Sequence, residues 1–258
     1  MKALFSSIFV LAVALGTSAS AQLSFQGGRV GVSHFELHDY FIEPYDPSYS
    51  FSSYYKETEL NFDLVYSADQ FGLQAGGYLG NVNWPHPSPH HWQQYGVNLH
   101  GYYTSPNGNK FGGVIQYSRA LNQTHSYYVA PLVGVESIIA LGPFDLEASW
   151  VTRAFPREYP LSITAVQIHF PVNSQFELRA GYSHRQRQAS RDPLEFYSVG
   201  LSYSPTGQPF TFELDYSTHH YWEAVMETIQ LSARYTFGKG NTGRLFSDRR
   251  SGIGRLGF

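Results

Sequence analysis

From Glu59 onward the chain is written in short segments in which apolar and polar residues alternate one by one. A period of two is the signature of a β-strand with two chemically different faces. Leu60, Phe62, Leu64 and Tyr66 share one face, and Glu59, Asn61 and Asp63 the other. The pattern recurs over 71–79, 94–103, 111–118, 144–150, 176–183, 196–203, 210–217 and 225–237. Three stretches are less regular. Residues 23–35 change phase near Gly27-Gly28, as a bulge would cause. Residues 127–140 are apolar on both faces around Pro131, an awkward residue inside a paired strand. Residues 161–170 shift phase near Ala165. Counting all of them predicts about twelve strands, within bounds of about ten to fourteen.

The connections alternate as well. Residues 67–70, 105–109, 141–143, 171–175 and 205–208 carry tight-turn residues such as Asn107-Gly108 and Gly142-Pro143. Between these turns lie long polar stretches, at 36–58, 81–93, 120–126, 152–160, 185–194 and 218–224. Long and short connections that alternate strictly place neighbouring strands antiparallel, and an even strand count puts both chain ends on the short-turn side. Composition says what surrounds such a sheet. Aromatic residues make up 17% and charged residues only 14%, at a mean hydropathy of −0.28. No stretch of the mature chain approaches the ~20 apolar residues of a membrane helix. Aromatics bracket the apolar faces: Phe71, Tyr95, Tyr103, Phe144, Trp150, Phe176, Tyr182, Tyr197, Tyr203, Phe210 and Tyr216. Aromatic girdles at both edges of an apolar band belong to a wall standing in lipid. A soluble sandwich would hold its aromatics at mid-strand, in the core. In lipid every backbone N–H and C=O must be paired, so the sheet must close. The predicted fold is therefore all-β: one transmembrane, antiparallel, up-and-down barrel with long loops at one end and short turns at the other.

Residues 1–21 read as an address. Met1-Lys2 gives a positive start, an apolar run follows to Leu15, and Ala19-Ser20-Ala21 is a small-residue cleavage site. The chain has no cysteine, so the fold does not rest on disulfides in the oxidising space it enters. The expected division is a signal peptide at 1–21, a barrel at 22–237, and a flexible basic tail at 238–258.

The last predicted strand ends Gln230-Leu231-Ser232-Ala233-Arg234-Tyr235-Thr236-Phe237. This segment resembles the closing-strand signal of bacterial outer-membrane β-barrels, which the barrel-assembly machinery reads. Gln230, Tyr235 and Phe237 fit the pattern, and Ser232 stands where it has Gly. The chain departs from the pattern by running on past Phe237. The resemblance implies the bacterial outer membrane as location, lipid and the assembly machinery as partners, and long loops facing outward. It covers residues 22–237 as architecture and leaves the oligomeric state open.

The polar faces would line the lumen. Their ionisable residues are Glu59, Asp63, Asp145, Glu147, Glu177, Glu213 and Asp215, with Arg179 and Arg234. Glu136 sits in the irregular stretch and is not assigned. Residues 22–237 hold 11 Lys/Arg against 19 Asp/Glu, a net −8. An acidic lumen concentrates cations, which predicts a porin-like passive channel for small cationic or neutral solutes. One alternative is a non-conducting barrel, its interior filled by Arg–carboxylate networks, with a structural or loop-mediated binding role. Another is an outer-membrane lipid hydrolase. Ser33-His34, His125-Ser126 and Ser183-His184 are sequence neighbours, however, and neighbours on a strand point to opposite faces. The expectation is no enzyme. His86, His90 and His91 in a Pro-rich loop and His219-His220 in another outward loop suggest a metal. Prolines hold the first group apart with no carboxylate near, so no metal site, cofactor or nucleic-acid partner is expected. The tail holds Lys239, Arg244, Arg249, Arg250 and Arg255 against Asp248, a net +4. Its six glycines disfavour regular structure. Two fates remain open for it: a loose end outside the barrel, or a tethered cationic plug in the acidic lumen.

Overall fold

The computed structural model describes residues 23–41, 51–84, 90–122, 126–154, 161–187, 194–221, 224–238 and 244–246. They form twelve strands: β1 (Ser24–Phe41), β2 (Phe51–Ala68), β3 (Phe71–Trp84), β4 (His90–Thr104), β5 (Lys110–Asn122), β6 (Ser126–Leu141), β7 (Phe144–Arg153), β8 (Leu161–Pro171), β9 (Phe176–Arg187), β10 (Leu194–Tyr203), β11 (Phe210–Tyr221) and β12 (Ala224–Gly238). Each pairs antiparallel with its sequence neighbours, and β1 pairs with β12, so the barrel is closed. Closure removes both sheet edges. The expected all-β antiparallel barrel is what the chain forms. Residues 1–22, including the segment read as an export signal, lie outside the described residues.

The outer wall is apolar without a gap. Val30, Leu60, Leu79, Val97, Ile115, Val135, Ile168, Leu178, Val199, Leu214 and Leu231 all present large exposed side chains there. A contiguous apolar surface of this extent marks a wall built for a non-aqueous partner. Aromatics edge the belt on the short-turn side. Phe25 packs on Tyr66 and Phe237, Phe71 on Tyr103, Phe176 on Tyr203, and Phe210 on Tyr235. On the long-loop side the tyrosines point their hydroxyls up to charged residues. Tyr182 and Tyr197 both donate to Glu195 at 3.0 Å, and Tyr216 donates to Glu227 at 2.7 Å. From Phe237 to Glu227 is ten residues of β12. At about 3.4 Å per residue and a tilt of 35–45°, that is a height of about 25 Å, the thickness of an outer-membrane belt.

The irregular stretches resolve differently. The phase change at Gly27-Gly28 is a bulge: the β1–β2 register slips between Phe25 and Gly27, with Gly27 at φ +144°. Pro131 also sits where a register slips, since Gln116 faces Leu132 while Ser118 faces Val129. Its missing N–H is thereby absorbed at a bulge. The expected phase shift near Ala165 does not occur, because β8 pairs without a slip on both sides. What changes there is the lumen. Leu161 and Ile163 face inward and pack with Val114, Leu132 and Val151. The inner wall turns apolar toward the long loops, and an apolar inner wall imitates a change of phase.

The long connections are shorter than expected. β1 and β2 run on to Phe41 and from Phe51, deep into the stretch assigned to a 36–58 loop. Beyond the belt both faces meet water, so alternation fades while backbone pairing continues. The short turns match their chemistry. Gly108, Gly142 and Gly207 hold positive φ values, and Asp69 does so at φ 51°.

Candidate functional site

The barrel's interior is the candidate site. Every inner-face position follows from strand parity, so side chains far apart in sequence meet across the lumen. Glu59, Asp63, Asp145, Glu147, Glu177, Arg179, Glu213, Asp215 and Arg234 all sit on inward positions. A cavity of about 550 Å³ lies among them, and all except Glu147 line it. The aromatic set lies on the outer face. Phe71, Trp150, Phe176, Tyr182, Tyr197, Phe210, Tyr216 and Tyr235 are exposed there, while Tyr95, Tyr103, Phe144, Tyr203 and Phe237 are partly covered by neighbours.

The charges are not free. Arg179 bonds Glu213 at 2.7 Å and Asp215 at 2.9 Å, and Arg234 reaches Glu213 at 2.9 Å. Arg29 pairs with Asp63 at 2.9 Å. His169 lies between Glu147, at 3.4 Å, and Glu177, at 3.0 Å. Glu136, left unassigned from sequence, faces inward and bonds His100 at 2.7 Å with both side chains buried. Glu57 accepts from Gln94. Close packing holds this order in place. A Cβ on Gly200 would collide with the Asp215 carboxylate and press on Arg179, so Gly200 leaves the room that ion pair occupies.

Sequence reasoning missed several inner-face groups. Arg29 was hidden by the bulge that sets its phase. Lys110 stands inward between the stretches read as turn and strand, and Arg185 stands inward at a strand end that read as loop. His219 was assigned to an outward loop. It belongs to β11, is 2% exposed, and packs on Phe196 with ring centroids 4.4 Å apart. The reason is again the extension of strands beyond the belt. His219 Nε2 lies 3.1 Å from Ser217 Oγ, a same-face contact that adjacent Ser–His pairs do not make. Ser33 is buried on the inner face, whereas its neighbour His34 bonds Thr58 on the outer face at 2.9 Å. His86 and His125 lie outside the described residues, and of His90, His91 and His220 only the backbone is described.

The tail supplies the largest addition. Arg244, Leu245 and Phe246 lie inside the barrel, in its short-turn half. Phe246 is 0% exposed. Its ring stacks on His100 at 5.7 Å and meets the edge of Tyr102 at 5.5 Å, with Ile138 completing the cluster. The Gln74 side chain bonds the Phe246 main chain twice. Its oxygen accepts from the N–H at 3.0 Å, and its NH₂ donates to the C=O at 3.1 Å. Arg244 donates to Asp145 at 2.7 Å and to Glu177 at 2.6 Å, while Lys110 caps the Arg244 carbonyl at 2.6 Å. Arg244 and Leu245 also form part of the cavity wall. Residues 239–243 and 247–258 lie outside the described residues.

No protein-family model matches this chain, and no curated protein sequence matches it. Solved structures do. The chain is similar to an outer membrane channel from Pseudomonas putida F1, with TM-score 0.58 and 14% identity over 85% of this chain and 98% of that one. It is also similar to the translocator domain of the autotransporter NalP from Neisseria meningitidis, with TM-score 0.55 and 11% identity over 92% and 96%. A Pseudomonas aeruginosa FadL homologue aligns with TM-score 0.54 and 11% identity over 82% and 90%. At these identities the likeness is one of fold.

Proposed function

We propose that the protein is a passive channel of the bacterial outer membrane for small cationic or neutral solutes, whose lumen is narrowed by its own C-terminal segment. The observation that carries this reading is the cavity of about 550 Å³ inside a closed barrel, with Arg244 and Leu245 in its wall. Twelve strands enclose more than the interior of about eight that side chains alone fill, which leaves room for a path. The likeness in fold to the outer membrane channel of Pseudomonas putida F1 supports the same reading. Cation preference rests on the carboxylates. With Arg244 withdrawn, Asp145 and Glu177 lose a cationic partner and the field along the path turns more negative. Insertion would proceed through the barrel-assembly machinery acting on the 230–237 segment, with lipid covering the belt.

Planar-bilayer recordings test the reading. Deleting residues 241–258 should raise single-channel current several-fold and shift the reversal potential toward cation selectivity. A correctly folded deletion that passes no current would favour the non-conducting barrel, to which the complete burial of Phe246 also lends support, and one that passes the same current as the full chain would remove the tail's narrowing role.

A further inference from the structure

The contacts that hold the tail are not those of a generic stopper. A plug needs bulk and opposite charge. Here a side-chain amide is spent on main-chain recognition, and three separate features of a peptide are read at once. We infer that the seat of residues 244–246 is a binding site for short peptides that carry a basic residue two positions before an aromatic one, and that the tail occupies it as a built-in ligand. The inference rests on the channel reading for its consequence, that such peptides enter the lumen as solutes, but not for the site itself.

The main chain is read by Gln74, 1% exposed, which closes a two-bond ring with the N–H and C=O of a single residue. The N–H and C=O of one residue satisfy both ends of the amide. Which end faces which is set from behind. Asp63 accepts from the Gln74 NH₂ at 3.0 Å, and Arg29 holds Asp63 at 2.9 Å. An acceptor beside the nitrogen fixes the amide's orientation, so the oxygen is turned to the peptide N–H. Gln74 is thus preorganised, which lowers the entropy cost of binding.

The aromatic is read by a slot. His100 lies parallel to the Phe246 ring, at an interplanar angle of 2°, and Tyr102 closes the side. His100 is itself held by Glu136, so the slot wall does not swing. Glycine makes the room: a Cβ on Gly72 would collide with the Tyr102 ring. The cation is read by two carboxylates from different strands, Asp145 and Glu177, placed to take the Nε edge and an NH₂ of one guanidinium. That fork geometry favours arginine over lysine. The residue between, Leu245, is buried and forms part of the cavity wall.

Affinity follows from the tether. Covalent linkage to β12 presents the segment at an effective concentration on the order of millimolar. A seat that stays filled in cis therefore needs an intrinsic Kd of about 1 mM or tighter, well within reach of a free tripeptide.

The test uses the full chain with its seat emptied by Arg244→Ser and Phe246→Ser. Calorimetry in detergent measures binding of acetyl-Arg-Leu-Phe-amide, acetyl-Glu-Leu-Phe-amide and acetyl-Arg-Leu-Ser-amide, and bilayer current is recorded on the same variant. The expected result is that the first peptide binds at least ten-fold tighter than the other two and blocks current over the same concentration range. Adding Gln74→Leu should weaken it by at least ten-fold while leaving the order among the peptides. Equal or absent binding of the three peptides would overturn the site, even if the emptied barrel conducts. Selective binding by a barrel that carries no current would keep the site and overturn the channel.

Discussion

At the level of single residues, the sharpest division is between the two faces of one strand. Leu214 faces out, exposed, between Leu201 and Leu231, whereas Thr211 faces the lumen beside Arg234. Arginine at the midplane of a lipid-facing wall costs about 2–4 kcal/mol. Leu214→Arg should lower folding stability in lipid by about that amount, and Thr211→Arg by far less. Equal losses would remove the lipid-facing assignment. This division was legible because lipid and water impose opposite chemistry on successive residues. Gln74 was not legible. An inward glutamine is ordinary, and its partner Phe246 lies 172 residues away in a stretch with no periodicity. The tail's two anchors differ in kind. Arg244 and its carboxylates are about a quarter exposed, so salt screens them, whereas buried Phe246 is indifferent to salt. Between 0.1 and 1 M salt, full-length conductance should rise faster than the conductivity of the solution, and Arg244→Gln should remove that excess. A strictly proportional rise in the unaltered protein would show that the ion pairs do not hold the segment.

Elements show why the strand count was readable and the strand ends were not. Alternation exists only where one face meets lipid, so it marks the belt and stops at its edge. β1 and β2 continue as an 18-residue pair into water, where nothing in their composition distinguishes strand from loop. The same logic explains β8, whose inner face becomes apolar at Leu161 and Ile163 without any slip in register. The bulge in β1 is the opposite case, a real slip flagged by glycine. It lies at the seam where β1 meets β12. Gly27 takes φ +144°, and a Cβ there would strike the Phe237 carbonyl. Gly27→Ala should therefore cost about 1–3 kcal/mol and weaken closure. Gly113→Ala is the matched control. A Cβ at Gly113 meets one carbonyl oxygen at 3.4 Å, an ordinary contact, so stability should change little. Denaturant unfolding of the two variants in detergent measures the difference. Indifference to Gly27→Ala would mean that the seam tolerates another backbone path.

The whole molecule is governed by charge compensation inside a closed wall. Net charge over 22–237 pointed to an acidic lumen, and the inner face is rich in carboxylates. Arg29, Arg179, Arg234 and Arg244 nonetheless pair with five of them, Asp63, Asp145, Glu177, Glu213 and Asp215, each within 3 Å. Summed charge therefore overstates the field a solute meets, because pairing cancels it locally. Glu213 has the greatest leverage, since it joins Arg179 and Arg234 at once. Removing its charge together with that of Asp215 leaves two guanidiniums facing the cavity without those partners. In the chain lacking residues 241–258, Glu213→Gln with Asp215→Asn should move the reversal potential toward anions. The change should be larger at 0.1 M than at 1 M salt, because the Debye length falls from about 10 to about 3 Å. Ion preference that stays put in a conducting barrel would place the path away from β11 and return the Arg179–Glu213–Arg234 network to a purely structural role.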